Sequence, residues 1–214
     1  MKKLKSSLIN MTLVLTATAV VTGGLLAFVN AQTKDTIQQQ KDKELQDGIK
    51  NVVGDPNLTV SKTDTIVQDN NGKDQTYVIY NATSSEGKPL GAAVESTVQG
   101  FGGDVRILVG FDNEGVIKGY TILEHAETPG LGAKAGDWFQ KGEKGDIIGK
   151  DPSKGNLVVS KDDDKAKNKV DAITAATITS RAFLNGVNQA YQAYSINVLT
   201  DKTDAHSGAT KQDK

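Results

Sequence analysis

Val105-Arg-Ile-Leu-Val-Gly-Phe-Asp-Asn-Glu-Gly-Val-Ile-Lys-Gly-Tyr-Thr-Ile-Leu123 decides the fold. Two runs rich in Val, Ile and Tyr, Val105 to Phe111 and Val116 to Leu123, flank Asp112-Asn113-Glu114-Gly115. β-branched and aromatic residues suit a half-buried pleated surface, and a short Asp/Asn/Gly cluster between two such runs is a hairpin signal. Outward towards the N-terminus the same composition recurs at Gly91 to Val98, Thr76 to Ala82 and Thr63 to Gln68, with a turn at Asn70-Asn71-Gly72. Further out, Lys34 to Val53 puts Leu45, Ile49, Val52 and Val53 on one helical face, and Gly54-Asp55-Pro56-Asn57 ends it. Towards the C-terminus, Gly136 to Lys169 is dominated by lysine, aspartate and glycine, with a few apolar residues such as Trp138, Phe139, Ile147 and Ile148. A surface loop with one short strand, Leu157 to Ser160, is expected there. From near Thr179, the spacing of Phe183, Val187, Ala190, Tyr191 and Tyr194 makes an amphipathic helix, and the tail beyond Thr200 is polar and expected to fray. Strands in the middle with helices at both ends make an α+β domain with a mainly antiparallel sheet.

The N-terminal segment has a different character. Ser6 to Thr33 carries no charge, and Leu8 to Val29 is mostly apolar. At about 1.5 Å per residue the latter spans roughly 33 Å, against a hydrocarbon core of about 30 Å. Lys2, Lys3 and Lys5 precede it, which places the N-terminus in the cytoplasm and the rest outside. Gly23 and Gly24, with Ala17 and Ala19, give a small face suited to packing against other membrane helices. The rival is a cleaved signal peptide ending at Val29-Asn30-Ala31, but its apolar region is longer than the usual 7–15 residues or so. A retained single-pass anchor in the plasma (inner) membrane is expected, with the folded domain on the extracytoplasmic side.

Composition excludes several chemistries. The chain of 214 residues has 25 basic and 26 acidic side chains and a net charge of −1, without the basic stripe of a nucleic-acid binder. Its cysteine count is 0, which removes disulfides, thiolate-held clusters and cysteine nucleophiles. Its 2 histidines, His125 and His206, make no histidine-rich metal site. Asp162-Asp163-Asp164 lacks the EF-hand spacing and its closing Glu, so it reads as a solvated charge run rather than a calcium loop. Redox chemistry in this chain requires an organic cofactor or a partner.

Two segments carry chemistry. Glu127-Thr128-Pro129-Gly130-Leu131-Gly132 is a rigid turn, in which Pro129 fixes one φ while Gly130 and Gly132 permit positive φ and close backbone approach. Such a loop either simply connects a strand to the next segment or brings amides and a leucine against a flat ligand. Asp171-Ala-Ile-Thr-Ala-Ala-Thr-Ile-Thr-Ser180 alternates hydroxyls with small residues just before the amphipathic helix. One hydroxyl is explained as an N-cap, but four in seven residues are not. A helix N-terminus offers free N–H groups and a positive dipole end, which favour phosphate. Arg181 either neutralises such a charge or is a solvated helix residue.

These blocks resemble the FMN-binding domain family. Asp171-Ala-Ile-Thr-Ala-Ala-Thr177 is similar to that family's flavinylation pattern, with Ala175 where glycine is commoner, and Glu127 to Gly132 matches its E-T-P-G-L-G block. Gly100-Phe-Gly-Gly-Asp-Val-Arg-Ile-Leu-Val-Gly110 and Gly115-Val-Ile-Lys-Gly119 also fit. With the anchor, the resemblance covers nearly the whole chain and is nearest to the G subunits of Rnf complexes, ion-translocating ferredoxin:NAD+ oxidoreductases. It implies an electron-transfer subunit with FMN linked covalently to Thr177, attached from FAD by an FMN transferase that recognises Asp171. It also implies that Glu127, Thr128, Leu131 and Gly132 line the isoalloxazine, and that Thr174, Ala176 and Ile178 lie beside the phosphate or ring. No catalytic residue and no metal are expected, and the implied partners are the other membrane subunits. His125 and Trp138 are nearby aromatics for which structural roles are expected. The alternatives are a C-type subunit of a sodium-pumping NADH:quinone reductase and a stand-alone exported flavinylated reductase. The expected organisation is a cytoplasmic N-terminus at 1–7, a membrane helix at 8–29 and a juxtamembrane helix and connection at 30–62. The FMN-binding domain comes next at 63–200, and then a polar tail at 201–214.

Overall fold

A computed structural model describes residues 8–69, 74–163 and 165–208. Lys2, Lys3 and Lys5, the Asn70-Asn71-Gly72 turn, Asp164 and the last six residues of the tail lie outside them. The chain divides into two compact units, 1–44 and 45–214.

Helix α1 runs Leu8–Val53, with no break between the apolar segment and the charged one. Two separate helices were expected, but no Pro or positive-φ glycine stands between Leu8 and Val53 to end the first. In the first unit its apolar side chains, Leu25, Leu26 and Phe28 among them, are exposed. By length and composition it can cross a membrane. Its threonines return their hydroxyls to the helix: Thr12 donates to the Leu8 carbonyl at 3.0 Å and Thr22 to the Thr18 carbonyl at 2.8 Å. This satisfies polar groups without water, as a hydrocarbon environment requires.

The second unit is built on a five-stranded antiparallel meander in sequence order: β1 Thr59–Asp69, β2 Asp74–Thr83, β3 Pro89–Gln99, β4 Asp104–Phe111 and β5 Ile117–His125. The β4–β5 hairpin is the expected one. Asp112 turns it by accepting the Glu114 and Val116 N–H groups on Oδ1, both at 2.9 Å, and Gly115 supplies φ 84. The alternation in β4 sends side chains to both faces. Ile107, Val109 and Phe111 join Val94 and Val98 of β3 in the main core, whereas Leu108 meets Ala93, Ala82 and the last turns of α1 at Ile49, Val52 and Val53. Gly110 and Gly119, paired across β4 and β5, form a notch for that helix. A Cβ at Gly110 would overlap the Val52 carbonyl, so these glycines set the approach of helix to sheet.

The main core is closed by α3, Thr177–Gly208. Phe183, Leu184, Val187, Ala190 and Ala193 are buried on its inner face. Phe183 stacks on Phe139 at 4.4 Å and meets Tyr120 edge-on at 4.8 Å. Burying each such large side chain contributes about 1.5–3 kcal/mol. The helix starts two residues before the expected Thr179 and continues beyond Thr200.

Gly136 to Lys169 departs from the expected surface loop. A 3-10 turn at Gly132–Lys134 leads into α2, Ala135–Trp138. Phe139 and Ile147 are fully buried, and two strands, β6 Leu157–Val159 and β7 Asn168–Val170, pair in parallel. Asn188 of α3 clips β6 by accepting the Leu157 N–H and donating to its carbonyl, both at 2.9 Å. Polar side chains therefore pin a segment whose composition reads as solvated.

Candidate functional site

Three turns meet at one end of the second unit. The first is Gly100 to Gly103, closed by the Gly100 N–H on the Gly103 carbonyl at 2.8 Å. It projects Phe101 outward, 70% exposed. The second comes after β5. The Leu131 N–H bonds the Thr128 carbonyl at 3.1 Å, with Pro129 and then Gly130 at φ 78 in the centre. Pro followed by a positive-φ glycine is the residue pattern of a type II turn, as the loop sequence predicts. The third precedes α3: the Ala176 N–H bonds the Ile173 carbonyl at 3.0 Å, with Thr174 and Ala175 in the centre.

Ala175 has φ 63, the one positive-φ residue other than glycine among those described. This conformation costs an L-residue roughly 1–2 kcal/mol, a cost that glycine avoids. Ser180 ties the turn to the helix. Its hydroxyl accepts the Ile173 N–H at 3.0 Å and donates to the Ala176 carbonyl at 3.0 Å. The Ser180 N–H also bonds the Ala176 carbonyl, at 3.0 Å. Ala176 therefore stands at the N-cap, and the N–H groups of Thr177, Ile178 and Thr179 occupy the first-turn positions that lack intrahelical acceptors.

Glu127 joins the three turns. Its Oε1 accepts the N–H groups of Phe101 at 2.7 Å and Gly102 at 3.2 Å, and its Oε2 accepts the Thr179 hydroxyl at 2.8 Å. His125 has a structural role, as expected: its Nδ1 accepts the Glu127 N–H at 3.2 Å.

Between the turns lies a cavity of about 410 Å³. Of the expected site residues, Thr177, Glu127, Thr128, Leu131, Gly132, Ala176 and Ile178 line it. Phe101, Ala175 and Thr179 line it too, though they were not among the expected site residues. Nothing in the sequence marks Phe101 as a cavity wall; its exposure in a glycine-rich turn is visible only in the fold. Thr174 is exposed on the turn and is not part of the lining. Asp171 lies outside as well; its Oδ1 accepts the Ser160 hydroxyl at 2.9 Å, and its carbonyl accepts the Trp138 Nε1–H at 2.8 Å. Trp138 packs against the main core and is not part of the lining. Arg181 forms a two-bond pair with Asp162, at 2.7 and 2.6 Å, and those bonds hold the Asp162 carboxyl below its ordinary range. Of the two roles open to it, Arg181 takes the surface one. Asp163 accepts the Lys165 N–H at 2.9 Å, and no metal-ligating cluster occurs among the described residues.

The four hydroxyls of the second motif separate cleanly. Thr179 and Ser180 are buried at 2% and 0% exposure, with their hydroxyls committed. Thr174 is accessible but off the cavity. Thr177 both lines the cavity and is half-buried rather than sealed. The arrangement fits a flat aromatic group bearing a phosphate. Apolar walls come from Phe101, Leu131 and Ile178, anion-binding amides from the start of α3, and an alcohol stands beside them.

A family model described as FMN-binding domain matches residues 100–192, and one described as RnfG N-terminal region matches residues 1–52. The chain is 32% identical to the G subunit of the ion-translocating oxidoreductase complex of Shewanella baltica, over 91% of this chain and 92% of that one. It is 39% identical to the G subunit of the Na(+)-translocating ferredoxin:NAD(+) oxidoreductase complex of Acetobacterium woodii, over 51% of this chain and 52% of that one. Its fold is similar to the crystal structure of Shewanella oneidensis NqrC, with a TM-score of 0.53 and 16% identity over 72% of this chain and 93% of that one. The membrane-length helix, the FMN-binding domain and these relatives together establish that the chain belongs to the family of G subunits of ion-translocating oxidoreductase complexes.

Proposed function

We propose that this chain is the membrane-anchored electron-carrying subunit of a ferredoxin:NAD+ oxidoreductase complex, with FMN joined through its phosphate to Thr177. The observation that carries the proposal is the position of that threonine. It is the one hydroxyl of its motif that lines the cavity without being sealed. An FMN transferase attaches the group: the Thr177 oxygen bonds to the phosphorus of the FMN half of FAD, the phosphoanhydride breaks, AMP leaves, and the hydroxyl proton passes to a base of the transferase. FMN supplies the acceptance and release of electrons, chemistry for which this cysteine-free chain has no side chain.

The chain's own residues bind and orient. The first-turn amides of α3 hold the phosphate, Leu131, Ile178 and Phe101 flank the ring, and Thr128 and Gly132 border it. Thr174 stands on the turn that presents the helix, exposed and off the cavity lining, so it supports the site without touching the group. Asp171, exposed one residue beyond β7, is the recognition point for the transferase. Helix α1 anchors the chain with its N-terminus in the cytoplasm and the flavin domain on the extracytoplasmic side, where a covalent link prevents loss of the cofactor. Electrons arrive from and leave to the other membrane subunits. Membership of the G-subunit family favours this reading over a C-type quinone reductase subunit, since the likeness to NqrC shows the fold alone.

In-gel ultraviolet fluorescence after denaturation tests the covalent link. Wild type co-produced with its transferase fluoresces, and Thr177→Val does not. Equal fluorescence from both would refute Thr177 as the site.

A further inference from the structure

Glu127 borders the cavity, yet both of its carboxylate oxygens are committed to other parts of the chain. It is 6% exposed, and its three bonds reach Phe101, Gly102 and Thr179. The segments so joined are separated by 26 and 52 residues in sequence. Each supplies one wall: Phe101 from the first turn, Thr128 and Leu131 from the second, Thr177 and Ile178 from the start of α3. Gly100 and Gly132 make room for the group, since a Cβ at either would overlap the carboxylate. Its two oxygens accept from three directions, and bonds to a carboxylate are among the stronger ones.

The geometry points to Glu127 as the positioning residue of the flavin site: it clasps the three cavity walls at a set spacing rather than meeting the edge of the ring. This inference rests on the flavin reading of the cavity and replaces the ring-lining role that family resemblance implies for Glu127. Thr179 is its partner on α3, two residues beyond the attachment threonine. Opening the clasp leaves the link at Thr177 intact and frees the walls, so the ring becomes mobile while still attached.

The test uses the full-length protein in detergent, produced with its transferase, as wild type, Glu127→Ala, Thr179→Val and Thr179→Ser. Mass spectrometry of the Thr177 peptide reports attachment, and time-resolved anisotropy of the flavin fluorescence reports the ratio of held to mobile ring. Attachment is expected in all four. Thr179→Val, which loses one hydrogen bond, lowers the held-to-mobile ratio about five-fold. Glu127→Ala lowers it further, and Thr179→Ser restores the wild-type value. A wild-type ratio in Thr179→Val overturns the clasp, and this variant decides the matter even if Glu127→Ala fails to accumulate. Failure of the flavin reading shows separately, as wild type without an adduct.

Discussion

Replacing Ser180 with alanine probes the joint between the second motif and its helix. The Ser180 side chain is fully buried and serves two groups, the Ile173 N–H and the Ala176 carbonyl, both at 3.0 Å. The two losses differ in weight. The Ala176 carbonyl keeps the Ser180 N–H, so its loss is small. The Ile173 N–H loses its acceptor in a setting where Ile173 is 2% exposed. An orphaned buried donor costs about 1–3 kcal/mol, and the space left by one hydroxyl oxygen is too small to admit a water with partners of its own. With a ΔΔG of about 2 kcal/mol, a domain of this size shifts its midpoint by about 4–8 °C. Thermal unfolding of the full chain in detergent, monitored by near-ultraviolet circular dichroism, measures it. A change within about 0.5 kcal/mol, the range of ordinary surface substitutions, would show that Ser180 does not hold the turn and would remove the stated reason for the placement of Thr177.

Two further outcomes come from the same geometry. Ala175→Gly relieves φ 63 but adds freedom to the unfolded chain, so the net gain is about 0.5–1 kcal/mol, read from denaturant midpoints; a loss would contradict the strained turn. Alkaline pH destabilises the domain through its tyrosines. Burial raises Tyr80 and Tyr194 from 10.0 to about 12, and Tyr120 higher still. A group whose folded pKa is raised contributes stability below its unfolded pKa and loses it as pH rises through the folded one. Unfolding by denaturant should therefore become easier from about pH 10 to pH 12, and an unchanged midpoint across that window would refute the burial argument.

Much of this architecture is legible in the residues, because it obeys local rules. The β4–β5 hairpin is visible because Asp112 and Gly115 turn the chain within themselves. The Pro129-Gly130 turn is visible for the same reason. The start of α3 is less so. Cap preferences point to a hydroxyl residue, whereas the N-cap position is Ala176 and the stabilising hydroxyl comes from Ser180, four residues on. β7 escapes notice because Asn168-Lys169-Val170 carries one apolar side chain and is held by Asn168 Nδ2 on the Asp151 carbonyl at 2.8 Å. The role of Glu127 is the least legible. Motif reading puts it against a ligand, while its actual partners lie 26 and 52 residues away and are fixed only when β4, β5 and α3 assemble. Phe101 is hidden likewise, in a glycine-rich turn whose composition gives no hint of a cavity wall.

Peptide mass spectrometry of protein co-produced with its transferase decides whether Thr177 carries the flavin. One FMN adduct is expected, located by fragmentation on Thr177 and not on Thr174, Thr179 or Ser180. An adduct on any of those neighbours, or an unmodified peptide under these conditions, would contradict this assignment.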